Sequence, residues 1–120
     1  MSIRGAIYDL LNDYEADVYP YVAKQDATDP YVVYHVRREA VRTQDGVSAQ
    51  EVILTLNYYA TDLDDVITLA ATIYTGLEGT SGTYDSETLH STSWASEDGY
   101  YINDLEKYNL TQEYKLIFLT

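Results

Sequence analysis

Two histidines, three arginines within six positions, a trio of aspartates and a glycine-rich run are where this chain could do chemistry. His35 falls in a strand pattern beside Arg37. A general base needs a poised partner in a concave site. The sequence pairs neither His35 nor His90 with a nucleophile motif, so both read as ordinary strand residues. Asp62, Asp64 and Asp65 have the hard oxygens a divalent cation prefers. They also stand where the first turn of a helix is expected, and acids there complement the dipole and cap free N–H groups. The run Gly76-Leu77-Glu78-Gly79-Thr80-Ser81-Gly82 has three glycines but lacks a Lys-Ser/Thr pair and a preceding strand. It reads as a helix stop and linker, not a phosphate loop. Residues 98–104 lack the ligand spacing of a calcium loop. With no cysteine, disulfides, thiolate chemistry and Cys-based metal centres are excluded. The expectation is a protein without enzymatic activity, metal or other cofactor.

The remaining candidates point to protein contact. Arg37, Arg38 and Arg42 form the one basic cluster, next to an expected turn at Thr43-Gln44-Asp45-Gly46. Arginine favours interfaces, so an acidic protein partner is one reading. Plain solvation and nucleic-acid contact are the others, the last without an aromatic platform motif beside it. Fourteen tyrosines stand against one phenylalanine. Each hydroxyl wants a partner or water, and such amphipathic rings suit interfaces as well as core edges. The expected partner surface comprises Arg37, Arg38, Arg42, Asp45, Gly46, Tyr100, Tyr101 and Tyr108.

At 120 residues the chain reads as a single domain, residues 1–120. Twenty acids oppose seven bases, for a net charge of −13. Such a surface repels nucleic-acid phosphates and anionic lipid. Two compatible readings account for the acids: adaptation to a halophilic environment, or a functional negative surface past which DNA slides. The first residues lack the apolar core of a signal peptide. No apolar run approaches the ~18 residues of a membrane span, so no membrane association is expected.

Hydrophobic periodicity supplies the frame. Ile3, Ile7, Leu10, Leu11 and Tyr14 form a helical stripe over residues 2–14, with Ser2 as N-cap. Both prolines precede tyrosines, in Tyr19-Pro20-Tyr21 and Asp29-Pro30-Tyr31. A residue with no N–H and a fixed φ marks a strand start or an edge strand. Strands are expected over residues 18–23, 31–38 and 49–60, with Val32, Tyr34 and Val36 facing the core. A helix follows from Leu63 to Leu77, capped by a Thr61–Asp64 capping box and stopped at Gly79. Residues 89–97 form a weak strand, 98–111 a long polar connection, and 113–119 a closing strand. The fold class is α+β: an antiparallel or mixed sheet of about four to five strands, packed on one side by two helices. The order is α-β-β-β-α-β-β.

Taken together, the helix Ile3-Arg4-Gly5-Ala6-Ile7, the Val18-Tyr19-Pro20-Tyr21-Val22 and Asp29-Pro30-Tyr31-Val32-Val33-Tyr34 segments, the Asp-Gly turn, Asn57-Tyr58-Tyr59-Ala60-Thr61 and the second helix resemble a known family. It is the tail-completion or tail-terminator family of long, non-contractile-tailed viruses (siphoviruses), and the likeness covers essentially the whole chain. The segment between the first helix and Tyr19-Pro20 is shorter than is usual there. The resemblance implies a structural protein of the virion neck, made in the host cytoplasm. It implies a homohexameric ring that ends the tail tube and joins it to the head. Partners would be tail tube protein and a head-completion or connector protein, with DNA passing through the lumen without specific binding. The acidity points to a virus of a halophilic, archaeal host. The alternatives are a head-closure or adaptor protein of the same neck and a soluble protein-binding module.

Overall fold

The computed structural model describes residues 3–12, 17–20, 30–43, 46–84, 87–103 and 106–119, with backbone alone at 3, 4, 12, 17–20, 41–43, 46–48 and 100. Eight elements follow in order: α1 (Ile3–Asn12), β1 (Asp17–Pro20), β2 (Tyr31–Thr43), β3 (Gly46–Ala60), α2 (Leu63–Leu77), β4 (Gly82–Tyr84), β5 (Glu87–Ile102) and β6 (Lys107–Leu119). The strands make one six-stranded sheet in the order β1-β2-β3-β6-β5-β4. Only β1 and β2 run parallel; every other neighbour is antiparallel. The sheet is therefore mixed, as the α+β expectation allowed.

Period-2 alternation decides which side is core. Val32, Tyr34, Val52, Leu54, Leu56, Tyr58, Ala60, Tyr114, Leu116 and Phe118 lie on one face and are buried there. Both helices cover that face. α1 contributes Ala6, Ile7, Leu10 and Leu11, and α2 contributes Val66, Ala70, Ile73 and Leu77. Each fully buried Leu or Ile here is worth about 1.5–3 kcal/mol in transfer free energy. The opposite face carries polar pairs, the buried Val33 and Ala49, and one aromatic set. Tyr31 and Tyr59 stack at 5.2 Å, with the Lys107 ammonium 4.6 Å from the Tyr31 ring centroid.

The prolines sit where their chemistry permits. Pro20 closes β1, an edge strand, so its missing N–H breaks no inner ladder. Pro30 stands immediately before β2. The N-cap of α2 is Asp62, whose Oδ1 accepts from Asp64 N–H at 3.0 Å; it is not Thr61. Asp62 has the shorter, charged acceptor one residue nearer the first turn. Gly79, at φ 77°, follows the helix in the left-handed conformation that glycine tolerates. Its N–H donates to Thr92 O at 3.0 Å, fastening the end of α2 to β5.

Three expectations change. A sixth strand, β4, occupies part of the expected loop after α2, which lengthens the order to α-β-β-β-α-β-β-β. The expected polar connection over 98–111 is mostly strand, because β5 runs to Ile102 and β6 starts at Lys107. Paired backbones and side-chain bonds hold it extended. Thr111 Oγ1 donates to Asn57 Oδ1 at 2.8 Å, and Asn109 Nδ2 donates to Tyr58 O at 3.4 Å. Cross-strand partners of this kind outweigh the low intrinsic strand preference of asparagine. At the first hairpin, Gly46 already belongs to β3 and pairs with Thr43. Ser2, Tyr14, residues 21–23 and the turn residues Gln44 and Asp45 lie outside the described residues.

Candidate functional site

α2 carries more apolar surface than the sheet beneath it can cover. Leu63, Ile67 and Tyr74 remain 46%, 52% and 41% exposed. They overhang β5, where Trp94 and Tyr101 are 44% and 45% exposed. Between helix and strand runs a groove in two adjoining parts. The larger, about 540 Å³, is lined by Leu63, Ile67, Ala70, Ala71, Tyr74, Trp94, Glu97, Leu110 and Gln112. The smaller, about 220 Å³, shares Leu63, Ile67 and Leu110 and adds Val66, Gly99, Tyr101, Tyr108 and Asn109. Two edge-to-face aromatic pairs fix its walls: Tyr74 with Trp94 at 6.4 Å and Tyr101 with Tyr108 at 4.9 Å.

The groove floor is polar at one point and fully engaged there. Gln112, 3% exposed, accepts on Oε1 from the hydroxyls of Tyr58 at 2.7 Å and Tyr114 at 3.0 Å. Its Nε2 donates to Glu97 Oε1 at 2.8 Å. A buried glutamine thus satisfies two buried phenols and aims a carboxylate toward the rim. Just past α2, Glu78 Oε2 accepts from Trp94 N–H at 2.7 Å. Residues 61–106 hold ten of the twenty acids and no lysine or arginine. Acids beside an apolar trough disfavour phosphate and leave apolar surface that a further contact could bury.

The expected partner residues fall into two places. Arg37 and Arg38 occupy adjacent positions of β2 and so project from opposite faces. Arg37 lies 3.8 Å from Glu39, both well exposed. Arg38 lies on the helix-bearing side, where Gln50 Oε1 accepts from its Nε at 3.0 Å and from its Nη2 at 2.5 Å. Arg42 pairs with Val47 just past a register shift, with its side chain not described. Gly46 begins β3, and Asp45 is outside the described residues. Tyr101 and Tyr108 are cross-strand partners at the far end of the sheet, in the groove wall. Tyr100 is described by backbone alone, opposite Asn109.

His35 faces the open side, in a shallow hollow with Arg37, Ile53 and Glu113. Sequence reasoning missed Trp94, Leu63, Ile67 and Tyr74 as surface residues. The signal was present: apolar positions 63, 66, 67, 70, 73, 74 and 77 are too many for a single stripe.

No family model matches this chain, and no curated protein matches it. Among solved structures, a chain described as "Virion of native gene transfer agent (GTA) particle" superposes with a TM-score of 0.78. The match covers 99% of this chain and 96% of that one at 12% sequence identity. The two share a fold over their whole lengths.

Proposed function

We propose that this chain is a structural virion protein that caps the end of a tail tube as a ring of six copies. The ring stops tube polymerisation and presents a second surface to a head-completion or connector protein at the neck. DNA passes through its lumen without being held, in keeping with a net charge of −13. It has no catalytic role and no cofactor.

The observation that carries this reading is the fold likeness to a chain of a virion particle, which accounts for nearly all of both chains. The surface agrees with it. Between α2 and β5 it has a largely apolar trough with Glu97 in its wall, which suits contact with another protein chain. The tyrosines divide the same way. Tyr58 and Tyr114 are core residues with engaged hydroxyls, whereas Tyr74 and Tyr101 line the outer trough.

The test is reconstitution with tail tube protein. Substoichiometric addition shortens the tubes, and electron microscopy shows one added ring at a single tube end. Tubes of unchanged length, with no added ring, refute the reading. Rings that bind portal or connector protein but never the tube make the chain a head-closure or adaptor protein instead.

A further inference from the structure

Among the described residues, the sheet is open along part of both margins. β1 covers only Tyr31 to Tyr34 of β2, and β4 covers only Glu87 to Leu89 of β5. Among the described residues, no strand flanks the outer side of residues 36–43 or of 90–102. Part of the second margin is occupied, since Gly79 N–H and the Glu78 carboxylate take Thr92 O and Trp94 N–H. That leaves residues 96–102, where the Asp98 carboxylate already accepts from Gly99 N–H at 2.8 Å and would have to yield to an incoming strand. Unpaired backbone on this scale is a template for another strand.

The two margins differ in charge. Residues 36–43 carry three of the chain's seven bases, Arg37, Arg38 and Arg42, against one acid, Glu39. Residues 96–102 carry Glu97 and Asp98 and lie in the stretch that lacks lysine and arginine altogether. Their lengths correspond: seven or eight residues of strand span about 23–27 Å. The second margin also has a roof, because Leu63, Ile67 and Tyr74 of α2 stand exposed above it. A strand added there buries that flank.

We propose that residues 36–43 of one copy add as a strand to residues 96–102 of the next, beneath the overhang of α2. The occupant of the groove is thus a second copy of this chain, and the inference rests on the ring reading above. Val36 and Ala40 share the helix-bearing side with Arg38, and they supply the small apolar surface that the trough beside Trp94 and Tyr101 lacks. Arg38 is held by Gln50 through Nε and Nη2, which leaves its third nitrogen for the rim carboxylate of Glu97. Pairing like margins would set arginine against arginine, or Glu97 and Asp98 against themselves, which charge disfavours. The contact is therefore head-to-tail. Each copy uses a different margin on each side, and such contacts close into a ring when the rotation between copies closes and run on as a filament when it does not.

The chain's lack of cysteine makes a clean test available. Ala40→Cys is combined in turn with Ala95→Cys, Glu97→Cys or Tyr101→Cys and oxidised; Glu97 and Tyr101 share the helix-bearing side with Ala40. At least one double variant gives a covalent ladder ending at ring size, while each single variant stays monomeric on a denaturing gel. Native mass on the same samples separates the two claims. Rings that persist while all three double variants fail to ladder overturn the strand addition and leave the ring reading standing. Covalent dimers from a single variant overturn it in favour of a symmetric contact. Loss of rings and ladder from every sample, wild type included, overturns both. Independently, Arg37→Glu with Arg38→Glu raises the concentration for half-assembly at least about tenfold, and adding Glu97→Arg recovers part of that loss. An unchanged midpoint counts against the proposal.

Discussion

Two stripes run along α2, built from the same kinds of residue. Val66, Ala70, Ile73 and Leu77 are buried, whereas Leu63, Ile67 and Tyr74 are 46%, 52% and 41% exposed. Their difference lies in what is beneath them. The first stripe rests on β3 and β6, the two middle strands of the sheet. The second hangs over β5, whose outer side is largely bare of neighbours among the described residues. An apolar helix face is core only as far as the sheet extends under it. Width beyond that is surface that another chain can complete.

Measurements on the isolated chain can break or sharpen this contrast. Ile73→Ala empties a fully enclosed site and costs about 2–5 kcal/mol, read as a lower denaturant midpoint. Gln112→Leu removes the shared acceptor of Tyr58 and Tyr114 in the trough floor. It costs about 1–3 kcal/mol, because two buried hydroxyls lose this shared acceptor. A loss as large as that from Ile73→Ala would make the floor part of the core rather than its boundary. Moving from ~0.1 M to ~2 M salt raises the thermal midpoint by a few degrees, since screening relieves repulsion among twenty acids. An unchanged midpoint argues against halophilic adaptation as the source of the acidity. Ile67→Ser changes stability by less than about 0.5 kcal/mol, as expected for an exposed site. The same substitution weakens assembly, measured by native mass. If it destabilised the isolated chain as Ile73→Ala does, the two stripes would not be distinct.

Much of the frame was legible because period and punctuation agreed. Alternation in Val32, Tyr34 and Val36 and in Val52, Leu54, Leu56 and Tyr58 named the inner face correctly. Pro20 and Pro30 marked an edge strand and a strand start. β5 was half-seen because Ser91, Thr92, Ser93 and Ser96 hide its apolar pattern. Register shifts between Leu89 and Ser91 and between Trp94 and Ser96 also break its period of two. Start positions for β6 were lost among Asn109, Thr111 and Gln112, whose partners Asn57, Tyr58 and Glu97 are distant in sequence. The candidate site was read in part. Tyr101 and Tyr108 do meet, but across a ladder, not in a loop. Adjacent arginines look like one patch in a sequence, although a strand sends them to opposite sides.

The position of β6 bears on how the molecule comes into being. β6 lies between β3 and β5, yet it follows every other element in the chain. Its pairing with β3 joins residues as far apart as Ala49 and Leu119. Until β6 leaves the ribosome, the β2–β3 hairpin has a bare flank where its central neighbour belongs, and the core stays open. Closing such distant pairs is slow, and an open strand flank invites partners in the meantime. Until the middle of the sheet is filled, nascent chains are therefore at their most exposed to strand pairing with one another.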